Sequence, residues 1–446
     1  MKRVFLLLIY FLSPILLMLV LFQSNPQKYQ NGQLLFTMIL GSLGYTWFIW
    51  QFILSARPKF IEASFGMDKL YQFHGIMAIV ALVAAFIHNL INEEIFGESF
   101  MTTLGTIGLY TFAAISGITL LLMATPAILD RLKVIRWIKK VIQAVKFIKY
   151  EFLRLIHNIT FIGMIFMFLH VLNTSGAKSS KLVFTVYTLY FIVAVLFYLY
   201  HKIFKAIILS DYTFTVQGVR QESPNMWTIE FAETNGIKIK YQPGQFGFFS
   251  FRSDEIVEEE HPFSISSGNT VDHMSITVKE LGDFTRQIKH LKAGDKVYVD
   301  APYGRFSYLN HMNEKDLVFI AGGVGITPMI SMLRHMMAFE PNRKVTLLWG
   351  MNLLSDYIMK VEFEKILDAM PNMTIIPVIA QDKEYQGEKG YIDHEKLQRL
   401  LQEQLLKPSS TGYYLCGPPV LMDNSIANLK KLGVNDKYIH FERFSL

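Results

Sequence analysis

Four histidines lie within two long apolar segments in the first half of this 446-residue chain. One segment carries His74 and His88, and the other carries His157 and His170. Ionisable side chains are costly in an apolar environment, so they usually face the interior of a helix bundle and serve a function. Haem iron accepts one imidazole on each of its two faces, so two histidines on separate helices can hold one haem between them. Four histidines on two helices therefore predict two haem sites.

The spacing of the histidines predicts how they pair. Because one further apolar segment lies between the two, their helices run in the same direction, which pairs His74 with His157 and His88 with His170. Separations of 14 and 13 residues place the two pairs about 20 Å apart. Thirteen residues leave His170 about 140° from the face of His157, so we expect a π-bulge or a kink near Gly163. The alternative is that these histidines only form hydrogen bonds between helices.

The segments that carry these histidines belong to an apolar first half. The chain is 51% hydrophobic with a mean hydropathy of +0.28, which is too apolar for an ordinary soluble protein. Six segments approach or exceed the ~20 apolar residues needed to cross a bilayer. They are residues 4–22, 34–55, 70–91, 102–125, 152–173 and 182–204. The first begins like a signal peptide, but no small-residue cleavage site follows, so we expect a retained helix.

The basic residues predict the orientation of these helices. With a cytoplasmic N-terminus, fifteen Lys and Arg residues lie on the cytoplasmic side and three, Lys28, Lys178 and Lys181, on the other. This asymmetry predicts a multi-pass plasma-membrane protein with its N-terminus and second half in the cytoplasm. Residues 132–150 alternate apolar and basic side chains, which predicts an amphipathic helix at the lipid surface or against the second half. Basic residues beside apolar segments explain the net charge of +6, so we expect no nucleic-acid binding.

The second half has a soluble composition and changes its pattern at about residue 312. Short alternating segments predict an antiparallel barrel, with strands at 212–217, 226–231, 246–251, 274–278 and 296–299. From Asp316 onward, the order of strand, glycine turn, helix and strand predicts a βαβ unit with parallel strands. The expected fold is a multi-domain membrane protein with a six-helix transmembrane haem-binding bundle (1–207), an antiparallel β-barrel domain (208–312) and a Rossmann-like α/β domain (313–446).

Short motifs in the second half point to nucleotide cofactors. Gly322, Gly323 and Gly325 follow an apolar strand and open a helix with Pro328 in its first turn, where backbone amides can approach a pyrophosphate. A tight turn without a ligand would have the same sequence. The other motifs are His261-Pro262-Phe263-Ser264, Gly282-Asp283-Phe284-Thr285, Ala301-Pro302-Tyr303-Gly304 and Cys416-Gly417-Pro418-Pro419. Together they resemble the ferredoxin-NADP reductase superfamily over about 230 residues.

The resemblance implies that two of these motifs bind FAD. Phe263 would contact the isoalloxazine ring, and Ser264 would place its hydroxyl near flavin N5. Residues 282–285 would begin a helix whose amides hold the FAD pyrophosphate. The residues implied in FAD binding are His261, Pro262, Phe263, Ser264, Lys279, Gly282, Phe284 and Thr285.

The resemblance also implies a site for NADPH or NADH. The residues concerned are Gly322, Gly323, Gly325, Ile326, Thr327, Pro328, Cys416, Gly417, Pro418 and Pro419, with Cys416 beside the nicotinamide. Phe444 would cover the flavin face that receives hydride, unless it only plugs the C-terminal strand into the core. Many NADPH-specific relatives have an Arg near the position of Asn352, so either nucleotide is expected here. Cys416 is the single cysteine, so an intramolecular disulfide and a thiolate-bound metal cluster are excluded.

With the six apolar helices and the paired histidines, the whole chain resembles the NADPH oxidase and ferric reductase family of transmembrane flavocytochromes b, in a bacterial-type form. The resemblance implies electron transfer from cytoplasmic NAD(P)H through FAD and two b-type haems to an acceptor across the membrane. Imidazoles would fill both axial positions of each iron, so the acceptor would be reduced at the haem edge. Dioxygen, which would give superoxide, is the first expectation. A ferric chelate, or a partner protein that the chain supplies with electrons, is the alternative.

Overall fold

The structure is a computed structural model that describes residues 2–122, 133, 137, 150–236, 238–270, 273–404 and 410–443. It contains two compact units, Met1–Phe204 and Lys205–Ser445. The amphipathic helix predicted at 132–150 lies almost entirely outside the described residues, and so does Phe444.

The described part of the first unit is helical. Its helices are α1 (Lys2–Ser24), α2 (Gly32–Ser55), α3 (Lys59–Phe65), α4 (Met67–Phe96), α5 (Phe100–Leu122), α6 (Tyr150–His157), α7 (Thr160–Leu172), α8 (Ser175–Ser179) and α9 (Lys181–Leu199), followed by a π-helical turn at Tyr200–Phe204. Among the described residues, six helical stretches are long and apolar enough to cross a membrane, at 2–24, 32–55, 67–96, 100–121, 152–172 and 181–209. This confirms the predicted number of long apolar helices.

Large apolar side chains cover the outward faces of these helices. On α1, Leu12, Leu16 and Leu19 are each more than half exposed. Exposed apolar surface is unfavourable in water by about 25 cal/mol per Å², so such faces are suited to lipid. In contrast, α2 is largely enclosed and packs against α1, α4 and α9, with Tyr45 and Phe48 each 2% exposed. It therefore forms the centre of the helical unit.

The second unit begins with α10 (Lys205–Leu209) and an antiparallel barrel. The strands are β1 (Thr213–Ser223), β2 (Met226–Glu233), β3 (Phe246–Arg252), β4 (Glu260–Ser264), β5 (Met274–Lys279) and β6 (Lys296–Tyr303), in the order β4-β3-β6-β1-β2-β5. The bridge between Ile265 and Ile276 joins the two ends of this order and closes the barrel. Alternate strand residues such as Ile229, Phe231 and Phe249 fill its interior. The predicted barrel is confirmed.

A parallel six-stranded sheet follows the barrel. Its strands are β7 (Asp316–Gly322), β8 (Val345–Met351), β9 (Met373–Ile379), β10 (Glu388–Lys389), β11 (Thr411–Cys416) and β12 (Ile439–Phe441), in the order β10-β9-β8-β7-β11-β12. The helices between them are α11 (Thr327–Phe339), α12 (Lys360–Ala369), α13 (His394–Glu403) and α14 (Pro419–Lys431). Separate apolar cores cover the two faces of the sheet, as its nearly continuous apolar strands require. The predicted Rossmann-like arrangement is confirmed.

Candidate functional site

The structure brings His74, His88, His157 and His170 of the first unit together in two pairs. The ring centroids of His74 and His157 lie 6.3 Å apart, and those of His88 and His170 lie 6.2 Å apart. Two imidazoles that bind one metal ion from opposite sides, with metal–nitrogen bonds of about 2 Å, have centroids roughly 6 Å apart. The separation within each pair therefore fits a haem iron between the two rings.

A break between α6 and α7 aligns His157 with His170. The amides of Asn158 and Ile159 donate to carbonyls three residues earlier, at 3.1 and 2.9 Å, so the chain is wound more tightly here than an α-helix. Phe161 and Ile162 make the same kind of bond, at 3.0 and 2.9 Å. Each residue in such 3₁₀ geometry adds about 20° of rotation, so these four residues recover about 80° of the roughly 140° that separates the two faces on an ideal helix. The irregularity that we predicted near Gly163 lies about one turn earlier, at residues 158–159, and it is a tightened turn rather than a π-bulge.

Main-chain carbonyls hold both rings of the His88–His170 pair. His88 Nδ1 lies 2.8 Å from the Thr37 carbonyl oxygen on α2, and His170 Nδ1 lies 2.7 Å from the Met101 carbonyl oxygen on α5. A ring that donates its Nδ1–H to a carbonyl keeps Nε2 as the metal ligand. The Asn92 amide nitrogen lies 3.1 Å from both ring nitrogens of His88 and donates to the Thr37 hydroxyl. The surroundings of this pair thus include groups that orient both rings.

Two glycines make room for these rings. A Cβ at Gly41 would lie 2.7 Å from His88 Cε1, and a Cβ at Gly105 would lie 2.8 Å from His170 Nδ1. Each glycine comes four residues after the residue whose carbonyl binds the ring, so it is one helical turn further along the same helix face. Sequence reasoning missed both glycines. Their signal is weak, because a glycine in an apolar helix commonly serves helix packing.

The His74–His157 pair is held differently. His157 Nδ1 lies 3.1 Å from the Thr119 hydroxyl, which donates in turn to the Ile115 carbonyl at 2.8 Å. His74 Nδ1 is buried and has no hydrogen-bond partner among the described residues. A buried polar atom without a partner is unusual, and it means that no hydrogen bond at Nδ1 orients the His74 ring within the described part of the chain.

Each pair lines its own cavity in the helical unit. The cavity at His88 and His170 has a volume of about 310 Å³, and the cavity at His74 and His157 one of about 180 Å³. The second of these is also lined by Phe48 of α2 and Phe112 of α5, whose rings stack with centroids 4.2 Å apart. Tyr45 of α2 and Leu109 of α5, each about one turn earlier on its helix, line the cavity at His88 and His170. The stacked pair therefore lies between the two levels, a feature that the sequence did not reveal.

In the second unit, two glycine turns meet at the carboxyl ends of the neighbouring strands β7 and β11. A Cβ at Gly325 would clash with the Cys416 carbonyl, and a Cβ at Gly322 would lie 2.7 Å from Pro418 Cδ. Helices α11 and α14 begin next to these turns, each with a proline in its first turn. Two helix N-termini at one place favour an anionic group such as a pyrophosphate.

The structure brings together the ten residues predicted for the nicotinamide nucleotide. They lie on the two turns or at the adjoining helix starts: Gly322, Gly323, Gly325, Ile326, Thr327, Pro328, Cys416, Gly417, Pro418 and Pro419. Trp349 Nε1 donates to the Gly323 carbonyl at 3.0 Å, and the Thr327 hydroxyl donates to the Val324 carbonyl at 3.0 Å. These bonds fix two main-chain carbonyls of the first turn.

Cys416 is buried at the end of β11. Burial raises the pKa of its thiol, and the nearby Glu442 carboxylate raises that pKa further, so the thiol is neutral at physiological pH. Cys416 thus offers a small neutral surface beside the turn rather than a thiolate nucleophile. Glu442 is itself buried, and a Cβ at Gly304 would lie 2.5 Å from its Oε2. Sequence reasoning missed Glu442, whose only signal was its place two residues before Phe444.

Aromatic rings gather around the His261 motif on β4. The rings of His261 and Phe284 stack with centroids 3.8 Å apart, and Phe263 lies 6.5 Å from Phe284. Ser264 is buried and pairs with Phe246 across the β3–β4 ladder. Flat aromatic surfaces of this kind stack planar ring systems such as those of FAD. The residues present therefore fit the predicted FAD site.

The prediction of a helix that begins at Gly282 is wrong. Residues 283–287 form successive turns, followed by a single 3₁₀ turn. The Thr285 hydroxyl oxygen accepts hydrogen bonds from the amides of Leu281 and Gly282, both at 2.9 Å, and the Arg286 amide donates to the Gly282 carbonyl at 3.1 Å. One turn forms here, but it does not continue into a helix. A phosphate at this turn would compete with Thr285 for the same two amides. Lys279, the last residue of β5, lies three residues before Gly282.

Two family models match the second unit. The model described as "FAD-binding domain" matches residues 212–307, and the model described as "Oxidoreductase NAD-binding domain" matches residues 319–426. These ranges coincide with the barrel and with the parallel-sheet domain. The chain is an oxidoreductase with an FAD-binding and an NAD(P)-binding domain.

Curated relatives share part of their length with this chain. Identity is 28% over 244 residues to a component of the 1,2-phenylacetyl-CoA epoxidase of Escherichia coli (strain K12), covering 52% of this chain and 68% of that protein. It is 31% over 168 residues to a component of the Na(+)-translocating NADH-quinone reductase of Methylococcus capsulatus, covering 36% and 40%. It is 27% over 207 residues to the flavohemoprotein of Bacillus subtilis (strain 168), covering 46% and 52%. The chain thus spans between 40% and 68% of these relatives.

Two solved structures are also similar. The FAD/NAD-binding domain of nitric oxide dioxygenase from Vibrio cholerae is 25% identical, with a TM-score of 0.46, over 52% of this chain and 97% of that chain. Flavohemoglobin from Malassezia yamatoensis with bound FAD and heme is 14% identical, with a TM-score of 0.49, over 94% of this chain and 98% of that chain. Neither likeness extends the assignment beyond the two matched domains.

Proposed function

We propose that this chain carries electrons from cytoplasmic NAD(P)H, through FAD and two b-type haems, to an acceptor on the other side of the plasma membrane. Dioxygen is the acceptor proposed first, with superoxide as the product. A ferric chelate or a partner protein is the alternative acceptor. The observation that carries the proposal is the pairing of four histidines at two levels of one helical unit, with ring separations of 6.3 and 6.2 Å.

The first unit supplies the ligands of two haems. His74 and His157 would bind the haem on the cytoplasmic side, and His88 and His170 the haem on the outer side. Six long apolar helices with lipid-suited faces support a membrane location, and the excess of basic residues on one side supports the orientation. Because imidazoles take both axial positions, the outer acceptor would exchange electrons at the haem edge.

The second unit supplies the electron donor site. FAD accepts hydride from NAD(P)H and releases electrons singly, which is the chemistry that this cofactor provides when bound. The aromatic surface at His261, Phe263 and Phe284 would position the ring system, and the Ser264 hydroxyl would lie near flavin N5. The neutral Cys416 thiol would leave room for nicotinamide without introducing a charge. In this proposal Phe444 covers the flavin face until nicotinamide arrives.

Haem content tests the ligand assignment. The purified protein should contain two b-type haems per chain, with a reduced-minus-oxidised spectrum of six-coordinate low-spin haem. His88→Leu or His170→Leu should remove one haem, and His74→Leu or His157→Leu the other, while reduction of FAD by NAD(P)H continues. His201→Leu is the matched control, because His201 lines the same cavity as His74 and His157 but lies outside both pairs. Two haems retained in each of the four variants would refute the assignment.

The acceptor needs a separate experiment. Cytochrome c reduction by the full chain in proteoliposomes should be suppressed by superoxide dismutase if dioxygen is reduced on the outer side. Reduction that is insensitive to the dismutase but proceeds with a ferric chelate would replace dioxygen by iron. A protein that reduces neither, although both haems accept electrons from NAD(P)H, would be an electron-supply component of a larger assembly.

A further inference from the structure

A second cluster of side chains that can bind a metal ion lies in the parallel-sheet domain, away from the two glycine turns that follow β7 and β11. It consists of His311, Glu314 and His440, each of which offers one ligand atom within 4.8 Å of the others. Glu314 comes just before β7, whose first residue pairs with Thr411 at the start of β11. The two glycine turns follow the other ends of these strands. At 3.3 Å per residue, they lie about 20 Å from Glu314. The cluster is therefore separate from the proposed hydride-transfer site.

The cluster is assembled by tertiary contacts around Glu314. His440 Nε2 lies 2.5 Å from Glu314 Oε1, and the His311 ring stacks on the His440 ring with centroids 3.8 Å apart. Glu314 is almost fully buried, and His440 is mostly buried. His311 and Glu314 are three residues apart in the sequence, and His440 comes from the distant strand β12. Their two imidazoles and one carboxylate form a donor set that suits a divalent first-row metal ion.

A second layer of contacts holds the carboxylate of Glu314. The Tyr414 hydroxyl donates to Glu314 Oε2 at 2.9 Å, which leaves Oε1 as the oxygen that faces the histidines. Gly412, two residues earlier on β11, makes room for the carboxylate, because a Cβ there would clash with it. Arg343 donates to the main-chain carbonyl of Glu314. Ligating carboxylates are commonly oriented by such surrounding hydrogen bonds.

From this geometry we propose that His311, Glu314 and His440 bind a divalent transition-metal ion, of which Zn²⁺ is the best match. Two imidazole nitrogens and one carboxylate oxygen leave a fourth position for water. Metal bonds of about 2.0–2.1 Å at tetrahedral angles separate neighbouring ligand atoms by about 3.3 Å, so His440 and Glu314 need to part by less than 1 Å from their 2.5 Å hydrogen bond. A metal ion bound by an imidazole lies in the plane of the ring, so the partly exposed His311 ring must also turn out of its stack on His440 when the ion binds.

The metal ion would fasten the C-terminal strand to the turn before β7. β12 has three residues, lies at the edge of the sheet and is hydrogen-bonded to β11 within the described part of the chain. Directly after it comes Glu442, which is buried beside Gly304 and Cys416. A metal bond at His440 would thus fix the strand that leads into the nucleotide site.

Zinc binding by the full chain tests the proposal. Tag-free protein in detergent, stripped with a chelator, is titrated with Zn²⁺ in competition with a chromogenic chelator. We expect His311→Asn and Glu314→Gln each to lose one equivalent of Zn²⁺, or to bind that equivalent at least tenfold more weakly, relative to wild type. His394→Asn is the matched control, since His394 is a partly buried histidine of the same domain outside the cluster.

The difference between wild type and variant is the decisive quantity, because empty haem sites could also take up zinc. Equal stoichiometry and affinity in wild type and His311→Asn would overturn the proposal, as would the absence of a stoichiometric site in wild type. His311 is partly exposed on a turn, so this variant is expected to fold even if Glu314→Gln does not. Zinc should also raise the melting temperature of wild type and of His394→Asn but not of His311→Asn.

Discussion

The two histidine pairs of the helical unit have the same ring separation but different support. His88 and His170 both hydrogen-bond to main-chain carbonyls and both lie against a glycine. His157 relies on the Thr119 hydroxyl, and His74 Nδ1 has no partner among the described residues. The distance between ligands can therefore be set equally well by the main chain or by side chains. What differs is how easily a mutation disturbs each ring and how strongly each ring would donate electrons to the iron of the proposed haem.

The largest expected effect tests the dependence of His170 on Gly105. In Gly105→Ala, the new Cβ would lie 2.8 Å from His170 Nδ1, so the ring must move and lose its bond to the Met101 carbonyl. We expect haem affinity at the His88–His170 site to fall by about 10- to 100-fold, with the other haem unchanged. Gly117→Ala, on the same helix but with open space around it, is the control and should retain both haems. Equal haem loss in the two variants would contradict this role of Gly105.

The next effect concerns the reduction potentials of the two proposed haems. An imidazole that donates Nδ1–H to a carbonyl is more basic and stabilises ferric iron, which lowers the potential. We expect a redox titration of the full chain to resolve two haems, with the His88–His170 haem more negative by tens of millivolts. Two haems with the same potential, or the opposite order, would show that haem exposure or nearby charge outweighs the ring hydrogen bonds.

A smaller effect is expected at the other pair. Thr119→Val removes the hydroxyl that accepts from His157 Nδ1 without changing the side-chain shape much. We expect less than a tenfold loss of haem affinity and a shift in the potential of the His74–His157 haem alone. Thr111→Val is the control, since the Thr111 hydroxyl donates to the carbonyl of Ile107 on its own helix. If the potential of the other haem shifted instead, the two potentials of the redox titration would have to be assigned to the opposite histidine pairs.

The smallest effect is expected for the preference between NADPH and NADH, which should not depend on either histidine pair. Asn352, on which the expectation that either nucleotide is accepted depends, is exposed directly after β8. We expect kcat/KM for NADPH and NADH to differ by less than about tenfold, or 1.4 kcal/mol, in wild type, in Gly105→Ala and in Thr119→Val. A preference of a hundredfold or more for NADPH would point to a phosphate clamp elsewhere in the domain.

Several features could be predicted because they repeat along the chain or depend on local spacing. The six long apolar helices follow from segment length and composition, and the barrel and the βαβ unit follow from the period of apolar residues. The pairing of His74 with His157 followed from the direction of two helices. Prediction failed where the chain leaves a helical path after a single turn. At Gly282 the Thr285 hydroxyl accepts from two amides and the Arg286 amide donates to the Gly282 carbonyl, as at a helix start, but residues 283–287 form only successive turns.

The order of segments and the spacing of histidines were determined by the sequence alone, because bilayer thickness and helical rise restrict what apolar segments can do. Only the tertiary structure decided the rotation of His170, through the overwound turn after His157, and the carbonyl and glycine that hold its ring. The same holds for His311, Glu314 and His440, which lie up to 129 residues apart and meet only because β7, β11 and β12 are neighbours in one sheet. Main-chain carbonyls and strand order leave no distinctive residue type in the sequence, so contacts that depend on them become visible only in the folded chain.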